Sequence, residues 1–166
     1  AFFAAGKTFL EFAQYDRALD YFRRVRPKEE LIEFQRAKVD RLREQRLSMV
    51  RESGKENEAL RSDIQRETSK LNRLLDRFDL YLASQQYIAQ VFLAQQKYDE
   101  SIIVNQRHMA FFDEDLGKLA QYQIAVATLG KGDLAGAEEL ASAFADKYRG
   151  DPIGDDLFHR LAERHL

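Results

Sequence analysis

A few groups of residues have the types and spacing from which chemistry could be built. Gly6-Lys7-Thr8 matches the end of a phosphate-binding loop, whose lysine neutralises phosphate. That loop needs a glycine where Ala1 stands and a strand before it, whereas residues 2–10 carry apolar side chains at helical spacing. Gly6 therefore reads as a helix-packing glycine. Asp155, Asp156, His159 and Glu163 recur at three- and four-residue steps, so they share one helical face and could form part of a divalent-metal site. The plainer reading is solvated charge and helix N-terminal acids. Asp113-Glu114-Asp115 could attract a cation or a basic partner, but three acids just ahead of a helix starting near Leu116 stabilise its positive end. Arg23, Arg24, Arg26 and Lys28 form a short basic run that Glu29, Glu30 and Glu33 balance at once. His108 has no residue beside it in sequence to activate it. The expectation is a chain that is not an enzyme, without cofactor or metal.

Composition points the same way. In 166 residues, 26 basic and 28 acidic groups leave a net charge of -2, which supplies no field to draw in nucleic acid or an acidic membrane. There is no cysteine, so disulfides, thiol catalysis and Cys-ligated zinc are excluded, while the compartment stays open. No apolar run approaches the roughly 18 residues needed to span a bilayer. Two prolines and eight glycines are too few for a turn-dense β-protein. The start at Ala1 without methionine, and a last helix with nothing behind it, point to a fragment or a processed chain.

The elements that must position these residues are helices. Residues 2–25 read as two short antiparallel helices broken near Gln14 and Tyr15, with Pro27 ending the second. From Lys28 the texture changes to Arg, Glu and Gln with a thin stripe at Ile32, Val39, Leu42 and Met49, which polar Gln35 and Arg46 interrupt. Ser53-Gly54 breaks it, and the stripe resumes at Leu60, Ile64, Leu71, Leu74, Phe78 and Tyr81, with Glu67 as its polar member. Two long helices of similar length joined at a glycine predict an antiparallel coiled-coil hairpin, with Met49 near Leu60 and Ile32 near Phe78. One continuous helix is the alternative, because a single glycine costs only about 1 kcal/mol within a helix. Short amphipathic helices then follow over 80–96, 98–111, 116–129 and 134–148, and from Ile153 onward. The expected organisation is a helix pair at 1–27, the hairpin at 28–79 and further pairs at 80–166.

Self-comparison aligns three stretches: Ala4 to Val25, Ile88 to His108 and Ile124 to Phe144. In the first, Gly6, Phe9, Ala13, Tyr15, Ala18 and Phe22 alternate small and aromatic residues; Ala89, Phe92, Gln96, Tyr98 and Ser101 take those places in the second. Ala125, Thr128, Gly132, Leu134 and Ala137 do so in the third. A small residue in each helix lets the pair approach closely, and an aromatic fills the remaining volume. At these residues the chain resembles the tetratricopeptide (TPR) family, whose repeat is about 34 residues. From Tyr98 to Leu134 the step is 36 positions, whereas from Tyr15 to Tyr98 it is 83, which locates the hairpin as an insertion. The end, FADKYRGDPIGDDLFHRLAERHL, is similar to the link between repeats in bacterial envelope TPR proteins, although Arg149 stands where those have proline.

The resemblance implies an all-α, TPR-like solenoid of antiparallel helix pairs that binds a protein partner, a peptide segment or a subunit, on the face made by the first helices. It projects that face onto Lys7, Leu10 and Glu11 in the first unit, Gln86, Gln90 and Leu93 in the second, and Tyr122, Val126 and Leu129 in the third. The hairpin would be a second contact element, with Leu42, Met49, Leu60 and Ile64 between its arms. A structural oligomer paired through the coiled coil is the competing expectation. The resemblance further implies a periplasmic or outer-membrane-associated protein, with the cytoplasm as the alternative.

Overall fold

A computed structural model describes residues 1–164. The described chain holds nine α-helices and no strand: α1 (Phe2–Glu11), α2 (Tyr15–Arg23), α3 (Lys28–Ser53), α4 (Glu58–Leu75), α5 (Leu80–Ala94), α6 (Tyr98–His108), α7 (Glu114–Gly130), α8 (Leu134–Lys147) and α9 (Pro152–Arg164). They pack in pairs and divide into two units, one of Ala1–Val25 with the chain from Leu82 onward, the other of Arg26–Tyr81. Three boundaries differ from the expected ones by about three residues or more. Pro27 does not end α2, which closes at Arg23; with φ -52° and ψ 140° it caps the start of α3. The helix expected over 98–111 ends at His108 and tightens into a 3₁₀ turn at Met109–Phe111. Helix α4 stops at Leu75, so Phe78, expected opposite Ile32, lies beyond it and is half exposed.

In the first unit, three helix pairs close through the same turn. Ala13, Gln96 and Gly132 each adopt left-handed backbone, with φ of 54°, 60° and 86°. Each N–H donates to the carbonyl three residues back, on Leu10, Leu93 and Leu129. The next residue, Gln14, Lys97 or Asp133, donates to the carbonyl five back, on Phe9, Phe92 and Thr128. This is the αL helix ending in which two otherwise orphaned carbonyls are satisfied. Asp133 adds a side-chain cap, accepting from the Gly136 N–H at 3.0 Å, and Asp113 likewise caps α7 by accepting from Leu116 at 2.9 Å. Asp113-Glu114-Asp115 thus serves the start of α7.

The small residues sit where the helices of a pair touch. Gly6, Ala89 and Ala125 are buried on the first helices, and Ala18, Ser101 and Ala137 are buried on the second. A Cβ built on Gly6 would lie 2.6 Å from the Phe22 ring, well inside van der Waals contact. Ser101 makes the equivalent approach with a hydroxyl, donating to the Ala89 carbonyl at 2.9 Å. One apolar core joins Ala18, Leu19 and Phe22 of α2 to Ile88 and Val91 of α5, so the two pairs flanking the hairpin in sequence pack together. A second core joins α7, α8 and α9 around Phe144, Leu157 and Leu161.

The second unit is a two-helix hairpin. Gly54 closes α3 at φ 67°, and Asn57 caps α4 by accepting from the Leu60 N–H at 3.1 Å. At the other end Lys28 donates to the carbonyls of Leu75 and Arg77, at 2.9 and 2.6 Å, where α4 terminates. Val39 and Leu60 are buried between the arms, and Leu42, Met49 and Ile64 are partly buried. Gln35 and Glu67 do not interrupt this seam. They form a buried link, the Gln35 amide donating to the Glu67 carbonyl and carboxylate, both at 2.9 Å. Lys70 at 2.8 Å and Lys38 at 3.1 Å complete the shell, and these hydrogen bonds, Lys70 first, hold the Glu67 carboxyl far below the usual carboxylate range. Gln35–Glu67 and Arg46–Glu56 are both centred in sequence on Arg51. The pairing of Met49 with Leu60 and Ile32 with Phe78 would be centred three to four positions later, so these links are offset from it by about one heptad.

Candidate binding groove

Helices α1, α5, α7 and α9 of the first unit border an open groove made of two adjacent hollows. The first encloses about 450 Å³. Lys7, Leu10 and Glu11 of α1 form one wall, Tyr87, Gln90 and Ala94 of α5 the other, and Tyr15 of α2 closes one end. The second encloses about 760 Å³ between Gln90, Leu93 and Ala94 on α5 and Tyr122, Val126 and Leu129 on α7. Tyr98 of α6, Gly130 of α7, and Arg160, Glu163 and Arg164 of α9 complete it. Gln90 and Ala94 line both hollows, which therefore lie side by side along α5.

Of the residues projected from sequence, Lys7, Leu10, Glu11, Gln90, Leu93, Tyr122, Val126 and Leu129 all line this groove. Leu129 does so from its edge, since it is mostly buried in the α7–α9 core. Gln86 does not line it. It is 4% exposed, one helical turn before Gln90, and faces the interior. Three residues outside the projected positions also line the groove: Tyr15, Tyr87 and Tyr98, each only partly buried. A signal existed, because Tyr15 and Tyr98 occupy the same place in the aligned stretches and so present themselves alike.

Each tyrosine is held by a specific neighbour. Tyr87 stacks on Phe22 with centroids 5.4 Å apart, and Lys7 lies over its ring at 5.6 Å from the centroid. Tyr98 rests on Gly130, where any Cβ would overlap the ring. Tyr122 donates to Asp156 of α9 at 2.5 Å, and Arg160 donates to the same carboxylate oxygen at 2.7 Å. Burial and the facing carboxylate push the Tyr122 phenol up, whereas the hydrogen bonds from Tyr122 and Arg160 hold Asp156 below its ordinary value. The phenol stays protonated and donating through the neutral range.

The other sequence candidates find ordinary partners. Asp156 is bound to Tyr122 and Arg160, His159 lies 3.3 Å from Glu163, and no group of three acids, histidines or cysteines placed to hold a metal occurs among the described residues. Arg24 pairs with Asp20 at 2.7 Å, and the His108 ring nitrogen lies 2.9 Å from the Val104 carbonyl. Gly6 and Lys7 lie within α1, not in a loop that follows a strand. No described helix is long and apolar enough to cross a membrane.

The fold and groove together define an all-helical protein of paired helices with an inserted helical hairpin. No protein-family model, curated protein or solved structure matches the chain.

Proposed function

We propose that this protein is a non-catalytic interaction module whose helix pairs form a TPR-like solenoid segment, and that its groove holds a segment of a partner protein. One observation supports this above the rest: helices far apart in sequence, α1, α5, α7 and α9, contribute side chains to two neighbouring hollows that share Gln90 and Ala94. Its walls combine apolar anchors with the Gln90 amide and the charges of Lys7, Glu11, Arg160, Glu163 and Arg164, the means by which a groove holds a polypeptide segment. The hairpin serves as a second contact surface, for Phe34 and Leu47 on α3 stand 71% and 56% exposed.

The test is affinity capture from the native source, with bound proteins quantified by mass spectrometry, for the wild type and for Leu93→Lys and Val126→Lys. Both side chains are partly exposed in the groove, so helicity by circular dichroism should hold while capture falls by tenfold or more, the effect of placing an unpaired cation in an anchor site. Stoichiometric capture that both variants retain would remove the groove from the proposed role. Sedimentation of the full chain across a concentration series checks the coiled-coil oligomer alternative, which requires a concentration-dependent increase in mass.

A further inference from the structure

The interior of the first unit holds a polar layer that the groove does not use. Asn105 of α6 is fully buried, and its amide nitrogen donates to the Gln123 side-chain oxygen on α7 at 3.0 Å. Its own side-chain oxygen, Oδ1, is buried with no hydrogen-bond partner among the described residues. Turning both amides over does not cure this: Gln123 would then donate to Asn105, and the Asn105 nitrogen would be left over in place of the oxygen. In either orientation Asn105 carries a polar group that its partner cannot satisfy, a rare condition inside a native protein.

A third amide reaches the same level from α5. The Ser101 hydroxyl donates to the Ala89 carbonyl at 2.9 Å and so fixes where α6 passes α5. The tight turn at Gln96 makes these two helices antiparallel, so Asn105, one turn after Ser101, comes level with Gln86, about one turn before Ala89. Gln86 and Gln123 are both almost wholly buried, and their amide nitrogens have no hydrogen bond among the described residues. The cluster therefore lacks a donor for Asn105 Oδ1 while it has N–H groups to spare. None of the three side chains is ionisable, so an ion placed among them would stay uncompensated, whereas a water molecule both donates and accepts. We propose that Gln86, Asn105 and Gln123 form an internal site for a single water molecule, which donates to Asn105 Oδ1 and accepts from the amide nitrogens of Gln86 and Gln123. Three such bonds are the usual complement of a buried water. Its position gives it a role: α5 and α6 form one helix pair and α7 opens the next, and the apolar cores around Phe22 and Phe144 include none of these three residues. The water is a polar link between successive pairs, and it stands whether or not the groove takes a peptide.

Two measurements on the full wild-type chain test this, neither of which depends on a variant that folds. A high-resolution crystal structure should show one ordered water at about 3 Å from Asn105 Oδ1, within the same reach of the Gln86 and Gln123 amide nitrogens. In solution, nuclear Overhauser spectroscopy selective for water should give cross-peaks of long-lived water to the side-chain amide protons of Gln86 and Gln123. A variant adds the assignment. Magnetic relaxation dispersion of the solvent should count one long-lived water fewer in Asn105→Leu than in the wild type, and the same number in Gln106→Ala, whose side chain is exposed on α6. A protein group bonded directly to Asn105 Oδ1, such as the Gln86 amide, would overturn the proposal. So would a crystal structure with no density at that point, the absence of water cross-peaks to both glutamines, or a folded Asn105→Leu that keeps the full count.

Discussion

Glycine to alanine, made at two helical positions of the first unit, should change stability in opposite directions. In a helix interior the change is worth about 1 kcal/mol in favour of alanine, through lower backbone entropy in the unfolded chain. At Gly117, near the start of α7, the nearest atom to an added Cβ is the Phe112 Cβ at 4.0 Å, ordinary contact, so the propensity gain should appear almost whole. At Gly6 the added Cβ would lie 2.6 Å from Phe22 Cε1 and 2.7 Å from Cδ1. Carbon atoms settle at roughly 3.5 to 4.0 Å, so the overlap is about 1 Å. The ring cannot give way easily. Phe22 is fully buried, stacked on Tyr87 at 5.4 Å and packed beside Phe3 with centroids 6.0 Å apart. Overpacking costs about 1 to 3 kcal/mol, and an overlap this deep against a fully buried ring belongs in the upper part of that range, about 2 to 3 kcal/mol, which after the propensity gain of about 1 kcal/mol leaves Gly6→Ala destabilised by about 1 to 2 kcal/mol. Gly117→Ala should be stabilised by about 0.5 to 1 kcal/mol. Urea unfolding followed by far-ultraviolet circular dichroism should therefore give midpoints on either side of the wild type, and melting temperatures displaced by about 2 to 4 °C per kcal/mol. If Gly6→Ala were as stable as Gly117→Ala, the close approach of α1 and α2 would not be a packing constraint, and the account of the small residues would fail with it.

Two further outcomes follow from the turns and the hairpin. Gln96 holds φ 60° where the third pair uses Gly132, and its side chain is exposed, so Gln96→Gly should remove left-handed strain and stabilise the first unit by about 0.5 to 1 kcal/mol after the entropy of glycine is subtracted; a lower urea midpoint would contradict the turn geometry. Glu67 is held below its ordinary value by Lys70, Gln35 and Lys38, so its contribution to stability is complete above the unfolded carboxylate value near 4.3 and is lost as pH falls below it. Helicity should accordingly be flat from about pH 5 to 7 and decline below about pH 4. Glu67→Gln should be less stable at neutral pH, since Lys38 and Lys70 lose their carboxylate, and its acid decline should be shallower; an unchanged acid profile would rule out Glu67 as the titrating group.

Much of the first unit was legible because its determinants are local. A small residue, an aromatic three later and a left-handed position seven residues after the small one recur as Gly6, Phe9 and Ala13, and again as Ala89, Phe92 and Gln96. Repetition makes such a pattern visible even where Gln96 stands for glycine. The groove was legible to within one helical turn, and there the limits show. Gln86 and Gln90 are identical in type and four residues apart, yet one is 4% exposed and the other open to solvent. The difference lies in what packs above each, which their own sequence does not contain. The α9 residues Arg160, Glu163 and Arg164 were missed for a related reason. Their spacing defines a helical face, but only the packing of α7 and α9 around a shared core brings that face beside Tyr122.

The hairpin register illustrates the opposite case, in which a regular pattern leaves the answer degenerate. A heptad stripe presents an equivalent apolar surface every seven residues, so sliding one arm by a heptad preserves nearly all of its hydrophobic contacts. What breaks the tie is polar and singular. Glu67 and Gln35 are both buried, and a buried carboxylate or amide without a partner costs far more than any one leucine contact gains. Only the register that sets them against each other, with Lys38 beside them, satisfies both, and it also aligns Lys28 with the terminal carbonyls of α4. The residues that looked like defects in the stripe are therefore the ones that select how the arms pair. Their placement in mid-seam is what a hairpin needs if it must stand in one conformation with only two helices.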